Sequence, residues 1–244
     1  MKVNSIFNES SSAILIIGPN GVGKTKIAYE LARRYGGEII NLDRTYLYKH
    51  FPIATGLEDA LKEQGVTRHL YELLEPLEES YSANEYSEIV GETVSQILRS
   101  GKLPIAEGAS TFYVPAILKL NSKRKLFKNI IGLRFSANDN IEKKYLHRID
   151  QAFREGLVQE LEANLPKYKN SFIAKECHSA VPTIRYMNGH LNLSEAKEEI
   201  LKRCLEYKDR QMKLFSSYSE IKWIEADGFN DAYAQIERIA ELCK

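Results

Sequence analysis

The sequence predicts an α/β protein, a parallel sheet flanked by helices in the manner of a P-loop fold, with a small C-terminal helical part. Three observations carry that expectation. Five short apolar runs (13–17, 38–42, 103–106, 130–133 and 221–224) alternate with stretches of helical periodicity. The first run is continuous, rich in isoleucine and bounded by glycine, as a strand covered on both faces requires. It leads directly into Gly18-Pro19-Asn20-Gly21-Val22-Gly23-Lys24-Thr25, which opens a helix.

That octapeptide fits G-x-x-x-x-G-K-[ST], with a strand before it and a helix after it. Its glycines let the backbone fold tightly, so that successive N–H groups point at one anion. The helix adds the positive end of its dipole. Lys24 supplies a point charge, and the Thr25 hydroxyl suits a magnesium ion. The expected phosphate- or diphosphate-binding residues are therefore Gly18, Asn20, Gly21, Val22, Gly23, Lys24 and Thr25. A bare glycine-rich turn is the bland alternative, and the strand–loop–helix context argues against it.

Composition sets the frame. A chain of 244 residues, 43% hydrophobic and 27% charged, suits one globular domain spanning residues 1–244. Residues 1–12 read as a flexible polar N-terminus without the character of a secretory signal. A net charge of +1 gives no overall electrostatic case for nucleic acid. Cys177, Cys204 and Cys243 lack metal-ligand spacing and read as reduced thiols, with a cytoplasmic location expected. No apolar run is long enough to span a membrane.

Taken in order, Ile27, Ala28, Leu31, Ala32 and Tyr35 share one face of the first helix, which Gly36-Gly37 ends. The second strand delivers Asp43 to its carboxyl end, the edge where ligands sit in an open parallel sheet. Residues 44–81 look irregular. A helix follows over 82–99, with Ser82 and Glu85 as a capping box and Gly101 as its stop. The third strand brings Glu107-Gly108-Ala109-Ser110 to the same edge as Asp43. Helical patterns run over about 112–120, 138–155, 157–165, 194–215 and 231–243, whereas 171–182 is ambiguous. The stretch about 138–215 forms the expected helical substrate-binding part. Lys119, Lys123, Arg124, Lys125, Lys128 and Arg134 make a run without acidic residues, suited to RNA or to plain solvation.

These pieces together resemble the isopentenyltransferases, which prenylate the N6 amine of adenine. The resemblance rests on the P-loop, on Ile39-Ile40-Asn41-Leu42-Asp43-Arg44 and on Ile53-Ala54-Thr55-Gly56. It continues through His69-Leu70, Pro76, Tyr81-Ser82-Ala83, Glu107-Gly108-Ala109-Ser110, Glu155-Gly156-Leu157 and Tyr207 with Arg210-Gln211. It implies dimethylallyl diphosphate as donor, with diphosphate as leaving group in the P-loop and Mg2+ as cofactor. It implies Asp43 as general base, Thr25 as metal and diphosphate ligand, and Lys24 as a catalytic cation. Arg148, Lys144 and Arg210 are expected on the diphosphate. Arg44, Thr55, Gly56 and Ser110 are expected with Asp43 at the nucleotide. Asp43 as a turn cap, Thr55 and Ser110 as turn residues, His69 as a structural histidine and Lys144 on a solvated face remain the alternatives.

The family has a branch that modifies tRNA and a branch that makes cytokinin precursors from free adenylate. The short link between the helix near Leu118 and the strand at Ile130 leaves no room for the helical insertion of the tRNA branch. Together with Arg44, the Glu107–Ser110 run and the near-neutral charge, it favours AMP, or ADP or ATP, as acceptor over tRNA. Asn188-Gly189-His190 and 207–215 look closer to the tRNA branch. Ser179-Ala180-Val181 departs from a Gly-Tyr-Arg or Gly-Tyr-Lys run. A P-loop small-molecule kinase is the further alternative.

Overall fold

The computed structural model describes residues 13–57, 65–137, 139–225 and 229–241. The expectations for residues 1–12 and Cys243 lie outside them. Six parallel strands form one sheet in the order β3-β2-β4-β1-β5-β6. They are β1 (Ala13–Ile17), β2 (Gly37–Asn41), β3 (Arg68–His69), β4 (Leu103–Gly108), β5 (Phe127–Arg134) and β6 (Lys222–Glu225).

Side-chain alternation along β1 splits the core in two. Ala13, Leu15 and Ile17 face one layer, and Ile14 and Ile16 face the other. On the second face lie α1 (Lys24–Tyr35), through Ile27, Ala28 and Leu31, and α10 (Phe229–Glu241), through Ala232 and Ile236. On the first lie α3 (Ala83–Arg99) and α4 (Val114–Arg124). The Ser82–Glu85 capping box is present. The chain leaves β1 for α1 on one face and leaves β4 for α4 on the other. The crevice between the carboxyl ends of β1 and β4 is thus the switch point at which such sheets bind ligands.

Over this edge sits a helical layer. It comprises the short α2 (Pro52–Thr55), α5 (Ile141–Glu155), α6 (Leu157–Tyr168), α7 (Phe172–Glu176), α8 (Ala180–Met187) and α9 (Leu193–Phe215). The ambiguous 171–182 stretch resolves into α7 and the first three residues of α8. The irregular 44–81 stretch contains a 3-10 turn (Arg44–Leu47), α2 and the two-residue edge strand β3.

The link between α4 and β5 is two residues, Lys125 and Leu126, with Lys125 in the left-handed region at φ 56°. This link lies at the amino edge of the sheet, because a crossover between parallel strands returns the chain there. Lys123, Arg124, Lys125 and Lys128 therefore sit opposite the ligand edge, and Arg124 pairs with Glu88 at 2.8 Å. Arg134 pairs with Glu225 at 3.0 Å. The basic run does not form one surface with the site, which favours plain solvation, one of its two readings, over contact with RNA. Among the described residues, no helix is long and apolar enough to cross a membrane.

Candidate active site

A cleft of about 680 Å³ opens at the carboxyl edge, between the P-loop and the helical layer. Asn20, Gly21, Gly23, Lys24 and Thr25 line it from the P-loop and the start of α1, Asp43 and Arg44 from just after β2, and Ser110 from just after β4. Thr55 and Gly56 line it from α2, Arg148 from α5, and Tyr207 and Arg210 from α9. Gly18 and Val22 are not among the lining residues. A Cβ on Gly18 would meet the Leu133 carbonyl oxygen at 2.3 Å, so this glycine lets the loop approach β5. Val22 packs against the core.

Lys24 is 6% exposed, and its ammonium donates to the Pro19 carbonyl at 3.1 Å. Burial holds its pKa below the ordinary lysine value. The carboxylates of Asp43 and Glu107 oppose that shift, and Arg148 adds to it. The site thus sets one buried cation under the influence of two carboxylates and a guanidinium.

Asp43 is presented by a small clamp. Asn41, fully buried, accepts from the Asp43 N–H at 2.7 Å and donates to the Asp43 and Leu70 carbonyls at 3.0 and 2.9 Å. The Asp43 carboxylate accepts from the Ala109 N–H at 2.9 Å. It makes no capping bond to the 3-10 turn it precedes, so it is not a turn cap. Gly108 permits this closeness: a Cβ there would lie 2.8 Å from the Leu42 carbonyl carbon and 3.0 Å from the Asp43 nitrogen.

Gln211 joins the two halves of the site. Buried in α9, it accepts from the Asn20 N–H at 3.3 Å and donates to the Ala109 carbonyl at 2.9 Å. Tyr145 of α5 donates to the Asn20 carbonyl at 2.8 Å. The P-loop is therefore braced by the helical layer as well as by the sheet.

Arg148 lies against α2: a Cβ on Gly56 would be 2.7 Å from its Nη2. Arg44 lies between the rings of Phe112 and Phe172, at 5.0 and 4.2 Å, and donates to Ser80 at 2.6 Å. Arg210 lies over the Tyr207 ring at 5.4 Å, exposed at the mouth. Lys144 is placed elsewhere. It pairs with Asp139 and lies over Phe135 at 5.4 Å, outside the cleft lining. Helical spacing put it on the face of Arg148, and Asp139 draws it away.

The two nucleotide hydroxyls are engaged locally. Thr55 donates to the Phe51 carbonyl at 2.9 Å within α2. Ser110 accepts from the Tyr113 and Phe112 N–H groups at 3.1 and 3.3 Å. His69 bonds Glu38 at 2.6 Å on the β2–β3 edge, a structural position.

Two residues absent from the expected set are central. One is Gln211. The other is Glu107, 1% exposed at the end of β4, which accepts from the Thr25 hydroxyl at 3.2 and 3.3 Å and from Tyr71 at 3.4 Å. Burial is the main cause that lifts its pKa to about 7. Lys24 opposes the rise, and Asp43 adds to it. A charged residue ending an otherwise apolar strand was the signal that pointed to it. The donors here are hydroxyl and carboxylate oxygens, a set that suits a hard divalent cation such as magnesium. Because Thr25 donates its proton to Glu107, its lone pairs remain for such an ion.

The profile of the IPP transferase family matches residues 46–129 and 121–218. The chain belongs to the IPP transferase family. The two matched pieces overlap at 121–129, which takes in the end of α4, the two-residue link and the start of β5. A tRNA dimethylallyltransferase of Caldanaerobacter subterraneus subsp. tengcongensis is 24% identical over 304 residues, taking in 93% of this chain and 95% of the relative. That length exceeds the 244 residues here, so this relative of the IPP transferase family carries segments the chain lacks. A Bacillus licheniformis tRNA dimethylallyltransferase is 41% identical over 105 residues, 43% of this chain and 33% of the relative.

Two solved structures share the fold. The tRNA isopentenylpyrophosphate transferase of Bacillus halodurans superposes with a TM-score of 0.80 at 21% identity, over 96% of each chain. A eukaryotic dimethylallyltransferase acting on tRNA gives 0.75 at 17% identity, over 94% of this chain and 78% of that one. The sequence favoured the adenylate-type branch; the curated relatives named above are tRNA dimethylallyltransferases.

Proposed function

We propose that this protein transfers a dimethylallyl group from dimethylallyl diphosphate to the N6 amine of an adenine in tRNA, releasing diphosphate. The convergence of Lys24, Thr25, Asp43 and Arg148 on one cleft carries this reading. The names of the relatives favour tRNA over free nucleotide as acceptor. The kinase alternative has no such support.

The P-loop N–H groups, Lys24 and Arg148 hold the diphosphate. Magnesium, held by Thr25, would supply further charge neutralisation as the leaving group departs. The apolar wall of Ile149, Ala152, Ile200 and Cys204 suits the dimethylallyl tail. The N6 lone pair forms a bond to the allylic carbon, the carbon–oxygen bond breaks, and diphosphate leaves with its electron pair. The surplus N6 proton passes to Asp43. An aryl amine is a weak nucleophile, so placement and proton removal contribute most of what the protein's side chains can add. An adenine within tRNA must leave its stack to reach a carboxylate inside the cleft.

Free AMP is a second reading, favoured by the two-residue link at the join of the matched segments and by the formal charge of +1. One experiment decides between them. The protein is incubated with magnesium and dimethylallyl diphosphate, and in parallel with an anticodon stem-loop, AMP, ADP or ATP, and the products are weighed. A prenyl mass on the stem-loop supports the tRNA reading. A prenyl mass on AMP alone overturns it.

A further inference from the structure

Glu107 has no place in the transfer step, yet it lies against the P-loop. We infer that Glu107 is a positioning residue for the metal: it orients Thr25 and supplies the negative charge that makes diphosphate binding depend on magnesium. The inference rests on the reading of the P-loop as a diphosphate site.

Three observations carry it. β4 is the sheet neighbour of β1, and Glu107 stands beside Ile16 in the register, one residue before the strand pair ends at Ile17 and Gly108. Both carboxylate oxygens accept from the one Thr25 hydroxyl, at 3.2 and 3.3 Å, which fixes the rotor. The hydroxyl proton is thereby committed, and the oxygen lone pairs turn to the other side. Finally, Glu107 is 1% exposed, and both it and the half-buried Asp43 act electrostatically on the buried Lys24, so two carboxylates bear on one lysine. A diphosphate entering this cluster without a cation meets like charge on both flanks, in surroundings that screen it poorly. A divalent cation at Thr25 relieves that repulsion. A carboxylate that served only to pack or to brace the strand would have no bearing on metal dependence.

The test measures binding of inorganic pyrophosphate by calorimetry at about pH 8.5, so that Glu107 carries its charge, with and without magnesium in excess, for wild type, Glu107→Gln and Glu107→Asp. Gln keeps the shape and the acceptor for Thr25 while removing the charge. In wild type, magnesium should tighten pyrophosphate by on the order of tenfold or more. In Glu107→Gln, metal-free affinity should rise by on the order of tenfold, and the gain from magnesium should fall below about threefold. Glu107→Asp keeps the charge and should retain the weak metal-free affinity of wild type, with an intermediate gain. It also serves as the test if the Gln variant fails to fold. An unchanged gain from magnesium in Glu107→Gln overturns the inference and leaves the diphosphate reading standing. In Glu107→Asp, strong metal-free binding overturns it likewise. Absence of pyrophosphate binding by wild type under both conditions overturns the diphosphate reading and the inference with it.

Discussion

Asp43→Asn exchanges one carboxylate oxygen for an amide nitrogen without changing shape. The structure sets what survives. The remaining oxygen still accepts from the Ala109 N–H, now as a neutral bond, and the Asn41 clamp on the Asp43 backbone is untouched. The loss of charge assistance in that one bond costs about 1 kcal/mol of stability. Against a domain stability of about 5–15 kcal/mol, nearly all of the variant stays folded. The chemical step loses its proton acceptor, which lowers the rate by about 10²–10⁴, or about 2.7–5.5 kcal/mol in the barrier. The second effect exceeds the first, so a rate loss in this variant reports chemistry. Rapid-quench single turnover at saturating dimethylallyl diphosphate, beside a thermal melt and pyrophosphate calorimetry, separates the terms. A single-turnover rate equal to wild type refutes the base assignment.

Lys24→Ala should weaken pyrophosphate binding by about 2–4 kcal/mol, read by calorimetry, since it leaves Asp43 and Glu107 without their buried cation. Gly56→Ala places a Cβ 2.7 Å from Arg148 Nη2 at a φ of +77°. It should cost about 1 kcal/mol in a melt and raise KM for dimethylallyl diphosphate, and an unchanged KM would remove Arg148 from the diphosphate site. Gln211→Ala leaves the Asn20 N–H and the Ala109 carbonyl without their partner. It should destabilise by about 2–4 kcal/mol in urea, and a cost under about 0.5 kcal/mol contradicts its bracing role. Burial, then Arg210 and Arg203, hold the pKa of His178 down from 6.5 to about 4. The unfolded chain takes up that proton as pH falls through 6.5, while the folded chain resists until about 4. Wild type should therefore lose up to about 3 kcal/mol across that window, and His178→Gln should lose correspondingly less. Equal acid limbs in urea titrations of the two would count against it.

Most of the sheet and its flanking helices followed from periodicity because β1, β2, β4 and β5 are buried runs and α1, α3 and α9 are long. β3 escaped because two residues, Arg68 and His69, carry no period; it exists through backbone pairing with Ile39 and Ile40. α7 and α8 are five and eight residues, too short for an amphipathic pattern to declare itself. At the site, the P-loop and Asp43 were readable because local geometry presents them. Gln211 was not, because its partners are 191 and 102 residues away in sequence. Lys144 was misplaced because helical spacing ranks faces and says nothing of a competing Asp139. The Thr55 hydroxyl, read as a nucleotide contact, is taken by its own helical turn, whose acceptor is always within reach. Acceptor choice rested on a missing segment, on Arg44 and the Glu107–Ser110 run, and on net charge, and none of these describes a surface.

The most direct test is a crystal structure with magnesium, a non-reactive thio analogue of dimethylallyl diphosphate, and an adenine acceptor. The diphosphate should lie on the P-loop N–H groups beside Lys24 and Thr25, with its tail toward Ile200 and Cys204 and the adenine N6 within hydrogen-bond reach of Asp43. A nucleoside triphosphate preferred in that loop, its terminal phosphate aimed at an alcohol and no space left for the tail, would contradict prenyl transfer.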